Sequence, residues 1–219
     1  MHIIHHNSEP LKKFDPDFVA ALVSNMKEEG IHFHFDTDIT KVENKGEKLH
    51  IHGKDGFSLQ TDLIIGATGR KPNIAHLSLE NANIDYTKKG IIVNEKLQTT
   101  NNPHIYACGD VAATKGAPLT PVVSMEAAFV AKNVIGGDEK MIYPAIPSVV
   151  FTSPKLASIG ISAEEAKAHP EKYQIKNHDT TIGILINEQM NKSRLQKSLK
   201  IESRGKSKAL IFLVKKQII

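Results

Sequence analysis

Apolar positions in residues 15–30, DPDFVAALVSNMKEEG, recur at Phe18, Val19, Leu22, Val23 and Met26, the stripe of an amphipathic helix. Asp15 is placed to cap it, Pro16 suits its first turn and Gly30 marks its end. The period then falls to two. Ile31, Phe33 and Phe35 alternate with His32, His34 and Asp36, and Leu49 and Ile51 alternate with His50 and His52. The turn clusters NKG and KDG between these stretches predict a β-meander with one wet face. Residues 63–67, LIIGA, are a continuous apolar run of the kind found in a strand buried on both faces. A second such run, 105–108, stops at Gly109 and Asp110, with a short strand expected near 91–93. Residues 121–137, PVVSMEAAFVAKNVIGG, predict a helix with Thr120 as cap, Pro121 in its first turn and Gly136 and Gly137 at its end. Its Ala127, Ala128 and Ala131 would permit close packing. Strand, loop and helix in succession give an α/β class.

From Tyr143 onward the pattern becomes α+β. Strands are expected at 148–152 and 156–159, followed by a short helix opened by the capping box Ser162-Ala-Glu-Glu165. A domain boundary is placed near residue 141. Beyond about residue 181 no clean period remains, apart from an apolar burst at 209–214, and there is no internal repeat.

Composition narrows the classes. The chain has 219 residues, enough for one large or two smaller domains, and no apolar run approaches the roughly 18 to 20 residues of a membrane helix. The start, MHIIHH, has neither a basic region nor a long apolar core, so no signal peptide is expected and a cytoplasmic location is. One cysteine, Cys108, excludes an internal disulfide or a CxxC centre. The net charge of +4 is uneven: residues 182–219 carry nine basic and two acidic residues, while the body is mildly acidic. With few aromatics interleaved in that tail, nucleic-acid binding is not expected.

Two features carry candidate chemistry. In open α/β folds ligands sit beyond the carboxyl ends of the strands, where Asp110 would lie, and its carboxylate could accept hydrogen bonds from sugar or ribitol hydroxyls. A plain strand-end turn is the alternative. The pairs His32/His34 and His50/His52 each project to one side of a strand. If those strands are neighbours in register, the four imidazoles form a metal-binding module; otherwise they are ordinary surface.

Three segments in one order resemble the flavoprotein pyridine nucleotide-disulfide oxidoreductases: ATGRKPN at 67–73, TTNNPHIYACGDV at 99–111, and IPSVVFTSPKLASIGISAEEA at 146–166. Within that family PLTPVVSMEA at 118–127 is most similar to glutathione reductases. The resemblance implies an incomplete three-layer FAD/NAD(P)-binding fold followed by the start of an α+β interface, or dimerisation, domain. Residues 1–66 would be the last part of the nicotinamide-nucleotide domain, 67–140 the last part of the FAD domain, and 141–219 a truncated or aberrant dimerisation domain. It implies FAD and NADP(H) as cofactors, a small-molecule disulfide as substrate and a homodimer as the assembly, with no nucleic acid or membrane as partner. Asp110 would bind the FAD ribitol, with Gly109, Gly69 and Arg70 beside the cofactor. Leu119, Thr120, Pro121 and Val122 would lie along the isoalloxazine, so that a helix amino end faces the flavin. His5, His6, Lys12 and Lys13 either select a 2′-phosphate or form a solvated basic loop.

The family's GxGxxG loops and CxxxxC redox pair do not occur in these residues, and neither does the segment after the interface strands that carries its catalytic His-Pro. The resemblance therefore assigns no catalytic residue to this chain, treats Cys108 as a small strand residue, and implies that the chain alone is an inactive fragment. The basic tail departs from the family pattern, as a change of reading frame would produce.

Overall fold

The carboxylate of Asp15 accepts hydrogen bonds from the backbone N–H groups of Asp17 and Phe18, at 3.0 and 3.4 Å, and so starts the first helix where the sequence predicts. In the computed structural model, which describes residues 1–179, 196–203 and 206–214, the chain divides into two units. One comprises residues 1–65 and 147 onward, the other Gly66–Ile146.

The first unit opens with β1 (His2–Ile4), α1 (Pro16–Glu28) and β2 (His32–His34), where β1 and β2 pair in parallel. Next come β3 (Ile39–Lys45), β4 (Lys48–Gly53) and β5 (Ser58–Thr61), a three-stranded antiparallel meander. The expected meander is therefore real, but its membership differs. His32–His34 pairs with the chain's start, because a parallel pair needs a crossover and α1 supplies one.

The second unit holds the two-stranded hairpin β6 (Tyr86–Thr87) and β7 (Gly90–Ile91), a single 3₁₀ turn at Gly109–Val111, and α2 (Thr120–Val134). Its core is Leu79, Ile84, Ile91, Ala107 and Ala112. Gly90, at φ +125°, lets the hairpin lie directly on the backbone of Val111, whose carbonyl oxygen any Cβ at this position would strike. The N–H of Ala113 donates to the carbonyl of Ile91 at 2.8 Å, which ties the two segments together.

Four expectations for this stretch fail. Residues 63–67 form no strand: Leu63 is 72% and Ile65 81% exposed, and among the described residues no strand lies beside them. Residues 105–108 form only an isolated bridge, Gln98 to Tyr106, although Ala107 is buried. Continuous apolar runs become buried strands only when neighbours hydrogen-bond to both edges. Helix α2 begins at Thr120 with Leu119 as its cap residue and no side-chain cap bond, so Thr120 is the first helical residue. Its buried residues are Val122, Glu126 and Asn133, while Ala127, Ala128 and Ala131 are exposed.

Back in the first unit, β8 (Ser148–Val150), β9 (Lys155–Gly160), α3 (Ala163–Ala168), β10 (Gln174–Asp179), β11 (Gln196–Ser203) and β12 (Lys206–Val214) build an antiparallel sheet in the order β10-β11-β12-β9-β8. Ser162 caps α3 by accepting from the N–H of Glu165 at 3.0 Å. Phe18, Val19 and Leu22 of α1 form one core with Leu156, Ala163 and Ala166. The tail thus departs from its aperiodic reading: the apolar burst 209–214 falls in β12, paired on both sides, a position where a run needs no alternation. The part of the frame-change expectation that concerns 180–195, 204–205 and 215–219 lies outside the described residues.

Candidate functional site

Gly109 adopts φ +72°, and a Cβ there would come within 2.9 Å of Val123 Cγ1. Only a residue without a side chain lets the 3₁₀ turn lie this close to the amino-terminal half of α2. The turn puts Asp110 on the surface, with its side chain 43% exposed, and Arg70 Nη2 reaches Asp110 Oδ2 at 3.0 Å. Two residues singled out from separate stretches of sequence thus form an ion pair. Gly69 sits beside Arg70, also exposed. At the helix start Thr120 and Pro121 are exposed and Leu119 half-buried, whereas Val122 is 3% exposed and faces inward. Val122 packs instead against Gly116, where a Cβ would come within 2.9 Å of its Cγ1.

Behind the turn lies a polar cluster that sequence reasoning missed. Glu126, 1% exposed, accepts the Gly109 N–H at 2.6 Å through Oε2. Its Oε1 accepts the Thr114 hydroxyl at 2.9 Å and the Tyr143 hydroxyl at 2.6 Å. Among the described residues no salt bridge reaches this carboxylate, so these donors alone offset its burial. Thr114 Oγ1 in turn accepts the Gly116 N–H at 3.1 Å. Tyr143 is brought back to the helix by Asn133, whose side chain donates to the Glu139 carbonyl at 3.1 Å and accepts its N–H at 3.3 Å. Burial first and the Glu126 carboxylate second push the Tyr143 phenol up to about 12. The same two causes, in the same order, raise the thiol of Cys108 above its ordinary value. That disfavours a reactive thiolate at this position.

The histidine quartet does not assemble. His32 and His34 belong to the β1–β2 pair, His50 and His52 to the meander. His2 stacks on His32 and His34 at ring separations of 4.9 and 5.3 Å, and its Nδ1 lies 3.0 Å from His34 Nε2. His52 Nε2 lies 3.0 Å from Glu43 Oε2. Lys41 first, with His52 and Lys45 assisting against burial, lowers Glu43 to about 2. Among the described residues no group of three or more His, Cys, Asp or Glu could hold a metal ion. Asn7 links three members of the basic cluster: Lys12 Nζ donates to its Oδ1 at 3.1 Å, and its Nδ2 lies 2.9 Å from His6 Nε2 and 3.4 Å from His5 Nε2, while Lys12 and Lys13 line a cavity of about 600 Å³ with Ser158 and Ser162.

The pyridine nucleotide-disulphide oxidoreductase family matches residues 1–132. The chain belongs to this family. A mercuric reductase of Staphylococcus aureus is 31% identical over 212 residues, covering 87% of this chain and 38% of its own. A glutathione reductase of Schizosaccharomyces pombe is 34% identical over 184 residues, covering 82% and 39%. The fold matches that of the HOCl-induced flavoprotein disulfide reductase RclA from Escherichia coli, in its Cu(II) complex, with a TM-score of 0.83 at 20% identity over 99% of this chain and 50% of that one. The chain therefore spans half or less of the length of these relatives. The family is one of FAD-dependent oxidoreductases with NAD(P)H-using members. Among the described residues no helix is long and apolar enough to cross a membrane.

Proposed function

We propose that this chain carries the carboxyl-terminal part of the flavin site of an FAD-dependent NAD(P)H:disulfide oxidoreductase of the glutathione-reductase type. One observation supports this most directly: Asp110 projects from a glycine-opened turn packed on the start of α2, with Arg70 held at 3.0 Å. An exposed carboxylate accepts hydrogen bonds from polyol hydroxyls, and the positive amino end of a helix dipole favours an electron-rich ring edge. Asp110 would hold the FAD ribitol, Arg70 would orient the carboxylate, and Thr120 and Pro121 would face the ring system, with Val122 buried. The bound flavin would accept a hydride from NADPH and pass two electrons to a disulfide, giving two thiols.

In this reading residues 1–66 belong to the nicotinamide domain, 67–140 to the flavin domain, and 141–219 to the interface of a cytoplasmic homodimer. Cys108 cannot both attack a disulfide and resolve the product, so the redox pair comes from outside these 219 residues. The metal-binding alternative has no observation in its favour.

Titration of the chain with FAD, followed by flavin fluorescence, tests the assignment. Asp110→Ala should weaken binding about tenfold or more, the equivalent of one charged hydrogen bond. Unchanged affinity would remove Asp110 from the site. With NADPH, FAD and oxidised glutathione, the chain alone should consume no nicotinamide beyond the glutathione-free control.

A further inference from the structure

The flavin reading rests on where Asp110 points, and nothing in Asp110 itself fixes that direction. Its own contact is an ion pair to Arg70, whose side chain is 83% exposed, and exposed pairs constrain geometry weakly. The backbone of the turn is held from the other side. Glu126 Oε2 takes the Gly109 N–H at 2.6 Å, one residue before Asp110. Glu126 Oε1 is fixed in turn by Thr114 at 2.9 Å and Tyr143 at 2.6 Å, so the carboxylate cannot rotate away without releasing both hydroxyls. Space is equally constrained: a Cβ at Gly116 would lie 2.8 Å from Glu126 Oε1 and 2.7 Å from Tyr143 Cε1.

We propose that Glu126 is a positioning residue of the flavin site, whose buried carboxylate clamps the Gly109 amide and thereby sets the aim of Asp110. The proposal rests on the flavin reading for its consequence, while the clamp itself can be observed without flavin. Reach matters as well as charge. Aspartate at this position keeps the charge but falls short of the amide. Glutamine keeps the reach, and its carbonyl oxygen can still accept the Gly109 N–H, while the hydroxyls of Thr114 and Tyr143 can turn to accept from its amide.

The experiment compares Glu126→Ala, Glu126→Asp and Glu126→Gln in the full chain, with FAD affinity and hydrogen exchange of the Gly109 amide as readouts. Ala and Asp should each weaken FAD binding about tenfold to hundredfold and speed Gly109 exchange, the effect of losing one charge-assisted hydrogen bond. Gln should stay within about threefold of the parent in both, since it restores reach without charge. A folded Ala or Asp variant with parental FAD affinity and parental Gly109 protection overturns the inference, and so does a Gln variant as impaired as Ala. If the parent chain binds no FAD, the flavin reading fails by itself. Gly109 exchange then decides the clamp: faster exchange in Asp and not in Gln sustains it, and equal exchange in all variants overturns it.

Discussion

Residues 63–65 and the corner around Glu126 invert the usual assignment of inside and outside. The first is an apolar run with Leu63 and Ile65 largely in solvent; the second puts a carboxylate at 1% exposure. The difference lies in partners. Glu126 meets a backbone N–H and two hydroxyls that converge on it from positions 109, 114 and 143, so its burial is offset by hydrogen bonds. Leu63 and Ile65 meet no strand among the described residues, so their apolarity has nothing to act on. Burial follows what the surrounding chain offers to a side chain, and residue type alone does not determine it.

The comparison breaks most sharply at Glu126. Its replacement by alanine leaves the Gly109 N–H without an acceptor and should cost about 2–3 kcal/mol of stability, measured by urea unfolding. Tyr143→Phe removes one donor and should cost about 1 kcal/mol in the same assay.

A pH series sharpens the point. The Tyr143 phenol stands at about 12 in the folded chain against an ordinary 10.0, so folding favours its protonated form. That contribution is intact below pH 10, fades as the unfolded chain begins to ionise, and is lost as pH rises through about 12. Tyr143→Phe should lack this part of the alkaline decline, as thermal unfolding monitored across that window will show. The smallest effect is expected from the other region. Leu63→Ser with Ile65→Ser should change stability by no more than about 0.5 kcal/mol each, because the surface they bury is slight. A loss several times larger would show that the run is packed in solution and would end the contrast.

What the sequence disclosed follows the same division. Helix α1 was legible because its cap, its stripe and its stop are local, and Asp15 and Gly30 need no distant partner to be recognised. The Ser162 cap of α3 was legible for the same reason. Helix α2 was found, but with its faces reversed. Three alanines suggested the packed side, whereas the inward face is Val122, Glu126 and Asn133, spaced four and seven residues apart. A helix-interior glutamate aligned with a buried valine was the available signal. It becomes meaningful only once Thr114 and Tyr143 are known to arrive beside it. Asp110 and Arg70 were each identified through a stretch of resemblance, yet their pairing at 3.0 Å is a tertiary fact that no spacing announced. The histidine pairs failed for the corresponding reason, since period two fixes a side of a strand and leaves open which strand lies next to it.

Gly90 carries a consequence for how this chain can vary over time. Its backbone rests on Val111, one residue beyond Asp110, at a φ that side chains rarely adopt. Any drift at position 90 would shove the Val111 carbonyl and tip the carboxylate from the far side of the hairpin. This inconspicuous position, without charge or functional group, is thereby closed to every side chain for as long as the Val111 backbone must stay where it lies.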